Sequence, residues 1–213
     1  VTLLIVTAVA PEADAIRTAA GRSSSTVEVV GVGAAAAAGG TARLLALAEA
    51  AGRPYRAVLS AGIGGGFPGQ VPVGGTVLAA RSIAADLGAD SPDGFIPLDE
   101  LGFGSAIAAV DESLLAALRA ALPYAVVGDV LTVNTVTGTA EGAKALAARY
   151  PAAVAEAMEG YGVACAATAA GLPFAELRTI SNPVGPRDRA AWRLADAFAS
   201  LAKAAATLPR ALP

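Results

Sequence analysis

Residues 57–80 contain no charged side chain, and that run constrains the fold more than any other stretch. An uninterrupted apolar helix of such length would suit a bilayer. Gly62, Gly64, Gly65, Gly66, Pro68, Gly69, Pro72, Gly74 and Gly75 interrupt it, so no helix can run through. The segment reads instead as a strand over Ala57–Ala61, a glycine-rich loop over Gly62–Gly66 and a second strand over Gly75–Ala84. The same pattern of short apolar runs and Ala-rich helices continues on both sides. Before it come a strand at Leu3–Thr7, a helix at Pro11–Ala20, a strand at Val27–Val32 and a helix from Gly33 to about Ala51. After it come a helix at Ser113–Ala121, a strand at Val126–Val133 and a helix at Glu141–Tyr150. Met158–Ala170 reads as a buried helix, Phe174–Ile180 as the last core strand and Arg189–Leu208 as a C-terminal helix. Residues 86–104 hold Pro, Gly and acidic side chains and read as a loop, long enough for function or a subunit contact. This alternation predicts an α/β fold in three layers, a mixed central sheet flanked by helices. No linker or internal repeat divides the chain, so residues 1–213 are expected to form a single domain.

Composition removes whole classes of chemistry. The chain has no histidine, which excludes Ser-His-Asp hydrolysis, Cys-His nucleophiles and His-based zinc sites. Acid–base work falls to carboxylates, Lys, Tyr or water. A net charge of −3 with no Lys/Arg-rich run argues against nucleic-acid binding. Cys165, the single cysteine, stands in an apolar helical run and is expected to be a small core residue. The opening Val1–Val6 lacks the basic region of a signal peptide and reads as strand, so a cytoplasmic protein with no membrane span is expected.

In alternating helix–strand proteins, ligands collect at the carboxyl ends of strands. Glu12 lies just beyond the first such end, with Pro11 fixing the start of the helix. Its plain structural reading is an acid that complements the helix dipole. The Gly62–Gly66 run can bring backbone N–H groups close to a ligand, yet it is neither a Walker loop nor a dinucleotide fingerprint. Glu159 leads an almost charge-free run, where a carboxylate must be solvated, paired or bound to a ligand. Ser181-Asn182 ends a buried-looking strand. The amide of Asn182 offers a donor and an acceptor side by side, which suits the O6 and N7 edge of a purine. Ser-Asn-Pro is also a common turn opener.

Together these segments resemble the purine nucleoside phosphorylase/nucleosidase superfamily along essentially the whole chain, its hydrolases most closely. Glu12, Gly62–Gly66, Met158-Glu159 and Arg178-Thr-Ile-Ser181-Asn182 carry the likeness, and the last two are its specific part. The resemblance implies a nucleoside phosphorylase-like fold, a small-molecule nucleoside substrate, no cofactor, no metal and a homo-oligomer of two or more chains. It implies Glu12 as the base that activates water, Glu159 and Met158 at the ribose, and Ile63 and Gly64 shaping the pocket. Asn182 would meet the leaving base, with Ser181 orienting its amide. Adenine-cleaving relatives have Asp where this chain has Asn182, a difference that favours a 6-oxopurine. The segments Ala85–Phe95, Leu98–Phe103 and Pro183–Arg189 point the same way. Thr137-Gly138-Thr139 falls where relatives build the base pocket, without their Asp-Phe. Arg187 or Arg189 would pair an acidic substituent or else be surface charges, and Phe95 or Phe103 would reach a neighbouring subunit's pocket. Phosphorolysis, a methylthioadenosine/S-adenosylhomocysteine-type nucleosidase and a non-catalytic nucleoside-binding protein stay open as alternatives.

Overall fold

A computed structural model describes residues 3–20 and 25–208. Val1 and Thr2, at the head of the expected first strand, lie outside the described residues. The first half runs β1 (Leu3–Thr7), α1 (Ala10–Ala20), β2 (Ser25–Val29), α2 (Ala34–Ala50), β3 (Ala57–Gly66), β4 (Thr76–Ala84), β5 (Gly88–Ser91), β6 (Gly94–Pro97) and α3 (Leu98–Leu101). The second half runs β7 (Ile107–Ala109), α4 (Glu112–Ala121), β8 (Val126–Thr132), α5 (Ala140–Arg149), β9 (Ala153–Ala157), α6 (Gly160–Ala169), β10 (Phe174–Pro183) and α7 (Leu194–Ala205). The expected α/β class and mixed sheet flanked by helices are present, with α1 packed on α7 and α2 on α6. Every residue of β1 is buried, as a strand covered on both faces requires. Among the described residues no helix is long and apolar enough to cross a membrane.

β3 organises the sheet. It pairs in parallel with β1 through its first half and with β10 along most of its length. β10 then meets β4 antiparallel, β4 meets β8 and β8 meets β9 in parallel, and β9 returns antiparallel to Gly65-Gly66 of β3. The ladder thus closes on itself, while β1 and β2 extend from β3 as an open wing.

Several expectations change. Gly62–Gly66 is not a loop but the second half of β3. Its glycines let neighbouring chains approach more closely than a side chain allows: a Cβ on Gly64 would meet the Glu156 carbonyl at 2.7 Å, and one on Gly66 would meet Ile180 at 2.9 Å. Residues 86–104 are not all loop, since β5 and β6 form a separate hairpin followed by α3. β7 and β9 were not foreseen; each is short and Ala-rich, with too little β-branched character to signal a strand. The expected C-terminal helix breaks at Trp192-Arg193 between a 3-10 turn at Arg189–Ala191 and α7, where the Arg193 N–H donates to the Ser181 carbonyl at 2.8 Å. Cys165 is exposed, because α6 buries Val163, Ala164, Ala166 and Ala167 and turns position 165 outward.

The α2–α6 contact depends on glycine. A Cβ at Gly162 would stand 2.1 Å from the Ala34 carbonyl oxygen. Gly162→Ala is expected to cost roughly 1–3 kcal/mol through forced displacement of the two helices. Urea unfolding checks this, and an unchanged midpoint would mean the helices part without penalty.

Candidate active site

At the carboxyl end of β1 the chain turns directly into α1, and Glu12 folds back over that turn. Its Oε2 accepts from the N–H groups of Ala8 at 2.9 Å and Val9 at 3.2 Å, the reciprocal half of a capping box. Its Oε1 reaches across to β3 and accepts from the Ile63 N–H at 2.8 Å. Gly62 makes room for this crossing, since a Cβ there would come 2.5 Å from Glu12 Oε1. Burial pushes the Glu12 carboxyl above its ordinary value, outweighing the Ile63 N–H, the Arg178 charge and the Val9 N–H, all of which favour ionisation.

Glu159 is the N-cap residue of α6, but its side chain makes no capping bond. Its Oε1 accepts from Gly33 N–H, at the start of α2, at 3.2 Å, and its Oε2 from Met158 N–H at 3.3 Å. The same Oε2 meets Arg178 Nη1 at 3.2 Å. Arg178 is fully buried on β10, with Nε donating to Glu176 at 2.9 Å and Nη2 to Ser60 at 3.0 Å. Burial alone would lower its pKa, but Glu176, Glu159 and Glu12 outweigh that and hold it above its ordinary value. Burial drives the Glu176 carboxyl up, against the attraction of Arg178.

A bulge in β10 shapes the opposite wall. Ile180 pairs with Gly64 and Asn182 with Gly65, which leaves Ser181 as the extra residue. Regular alternation would send Ser181 and Asn182 to opposite faces; with the bulge, both line one cavity. Ser181 Oγ lies 2.8 Å from Asn182 Oδ1 and 3.2 Å from the Gly64 carbonyl, while Asn182 Nδ2 donates to the Pro183 carbonyl at 3.0 Å.

The structure brings Glu12, Ile63 and Gly64 together with Met158, Glu159, Ser181 and Asn182 around a cavity of about 390 Å³. Thr137 and Arg187 also line it, whereas Gly138, Thr139, Arg189, Phe95 and Phe103 do not. Arg187 and Arg189 flank the Trp192 ring, their guanidinium carbons 5.8 and 5.7 Å from its centroid. Sequence reasoning missed Glu156, a buried cavity residue whose carboxylate accepts from the Thr137 N–H at 2.8 Å and Thr137 Oγ1 at 2.5 Å. Burial raises its pKa against those two bonds. The available signal was a second acid three positions before Glu159 in an apolar run. Trp192 was missed because a continuous helix was expected there.

A sequence profile of the Phosphorylase superfamily matches residues 7–212. A futalosine hydrolase of Streptomyces coelicolor is 48% identical over 97% of this chain and 94% of its own length. Another, of Acidothermus cellulolyticus, is 47% identical over 94% of this chain and 90% of its own. Among solved structures, the native futalosine hydrolase of Helicobacter pylori matches with a TM-score of 0.83 at 19% identity, covering 99% of this chain and 98% of that one. At that identity the likeness speaks to the fold. The profile match and the two long relatives are decisive for descent: the chain belongs to the phosphorylase superfamily and, within it, to the futalosine hydrolase family.

Proposed function

We infer that this protein is an N-glycosyl hydrolase that cleaves the ribosidic bond of futalosine, releasing hypoxanthine and dehypoxanthine futalosine on the futalosine route to menaquinone. The carrying observation is that two buried carboxylates and a strand-end amide face one cavity, in a chain 48% identical to a futalosine hydrolase. Glu12 takes a proton from water as it attacks C1′, a role suited to a carboxylate whose proton affinity burial has increased. Glu159, steadied by Arg178 and two backbone N–H groups, holds the ribose hydroxyls and stabilises the positive charge developing on the sugar. Met158 packs against the ribose, and Ile63 and Gly64 form the floor beneath it. Asn182, oriented by Ser181, bonds the departing base.

Hydrolysis is favoured over phosphorolysis by the cavity's charge. Among its described lining residues, Arg187 beside Trp192 is the one cation, while Glu12 and Glu159 would repel phosphate. The proposal extends to a cytoplasmic location and to a homo-oligomer, the latter supported by the 82% exposure of Phe103. A monomer by sedimentation would remove that part.

Three outcomes are expected. Hypoxanthine release from futalosine proceeds equally with and without phosphate; a phosphate requirement would make the enzyme a phosphorylase. Glu12→Gln lowers kcat by at least ~100-fold, and undiminished turnover would remove Glu12 as the base. Because Glu12 must be ionised and its carboxyl is raised, kcat/KM falls with decreasing pH through a limb above 4.5, and that limb disappears in the Gln variant.

Arg178 supplies a stability test. Arg178→Met leaves Glu159 and Glu176 buried without their counter-charge, at a cost of roughly 3–5 kcal/mol. The carboxyls of Glu12 and Glu176, already raised by burial, rise further in this variant. A raised folded-state pKa stabilises fully below the unfolded value, and that contribution is lost as pH rises through the folded one. The stability deficit should therefore widen as pH rises above the ordinary carboxyl value of 4.5 in urea titrations. A pH-independent deficit would reject the charge argument.

A further inference from the structure

Glu176 is a buried acid that does not line the cavity and has no part in the hydrolytic scheme, yet four elements are shaped around it. On β10 it stands two residues before Arg178, so the two side chains share one face of the sheet. There its Oε1 accepts from Arg178 Nε at 2.9 Å, with both side chains out of water. α6 begins directly over the carboxyl group, and a Cβ on Gly160 would collide with both of its oxygens. β3 sets Ser60 beside it in register, and β4 brings up the Ser82 hydroxyl. The charged groups that face it are Arg178 and, just before α6, Glu159.

Two of these neighbours favour a charged carboxylate. The Nε edge of the guanidinium donates a charge-assisted bond, and the first turn of α6 presents the positive end of a ten-residue helix. A glycine at position 160 leaves the space in which the carboxylate meets that turn.

The reaction supplies a reason for an acid in this place. Arg178 Nη1 lies 3.2 Å from Glu159 Oε2, and Glu159 is the carboxylate that holds the ribose. The sugar gains positive charge as its bond to the base breaks, and an uncompensated cation behind Glu159 would oppose that change. With Glu176 charged, three acids surround one arginine and leave two negative charges in excess; without it, one remains.

We propose that Glu176 is a positioning residue for bond cleavage: its carboxylate holds the Nε edge of Arg178 and offsets the arginine's charge, so that Glu159 meets the developing sugar cation as a full anion. The proposal rests on the nucleosidase reading above and adds to it a group that never touches the substrate.

Two uncleavable analogues of futalosine test it. In both, carbon replaces N9 of the base; one keeps the ribose ring oxygen, and the other carries a secondary ammonium there, in imitation of the sugar cation. Calorimetry gives the Kd of each for the wild type and for Glu176→Gln, a neutral isostere whose amide oxygen can still accept from Arg178 Nε. The wild type is expected to bind the cationic analogue at least ~10-fold more tightly than the neutral one. Glu176→Gln should shrink that preference by ~10-fold or more, with affinity for the neutral analogue within about threefold of wild type. Its kcat for futalosine should fall by ~10-fold or more with KM little changed, the split expected of a charge felt mainly in the transition state. Thermal melts identify a variant that does not fold, and Glu176→Leu, apolar and of similar volume, then carries the comparison. A preference within about twofold of wild type, or equal weakening of both analogues, would reduce Glu176 to a packing group and overturn the proposal. Absence of hypoxanthine release from futalosine by the wild type would instead overturn the nucleosidase reading, a failure separable from the analogue preference.

Discussion

One buried guanidinium carries the electrostatics of the site. Arg178 is the single cation among Glu12, Glu159 and Glu176, and it meets two of them at 3.2 and 2.9 Å. Three carboxylates out of water would each incur several kcal/mol of desolvation. The arginine can serve all three because β10 is central, touching β3 on one side and β4 on the other. Its position on that strand puts the Nε end toward Glu176 and the Nη1 end toward Glu159. The carboxylates inherit their rigidity from this arrangement, and backbone N–H groups complete it at Glu12 and Glu159. Arg178 itself does not line the cavity.

The glycines of β3 are the second constraint, and they act through what they lack. Gly62 lets Glu12 pass, Gly64 admits the β9 backbone, and Gly65 leaves room for the Val184 side chain. A loop would bring backbone near a ligand at the cost of positional precision. A strand paired on both sides holds that backbone rigidly, and only glycine tolerates so close an approach. Closure of the sheet through β9 follows from the same property, since β9 meets β3 only at Gly65-Gly66.

Much of this was legible in the linear chain, for identifiable reasons. Strong apolar runs bounded by Gly and Pro marked β1, β3, β4 and β10, and the strand-end rule drew attention to Glu12 and Asn182. Elements with weak local signals escaped. β9 is five residues of mostly alanine, and its pairing arises from neighbours distant in sequence. Glu156 escaped with it, because an acid in an unrecognised strand has no assigned face. Cys165 was misplaced because apolar composition does not reveal which side of a helix meets the core. The β10 bulge, which brings Ser181 and Asn182 to one cavity, is a matter of register and has no local signature.

The amino-acid order by itself determined the alternation of helices and strands, the exclusion of histidine chemistry and the identity of the polar groups available, since these depend on composition and short-range pattern. The tertiary structure alone decided that Gly62–Gly66 is strand, that one arginine balances three acids, and that Asn182 and Glu156 pair with the same glycine. Those outcomes rest on which strands become neighbours. Contacts between residues more than a hundred positions apart, such as Gly33 with Glu159 and Ser60 with Arg178, exist only once the sheet has closed.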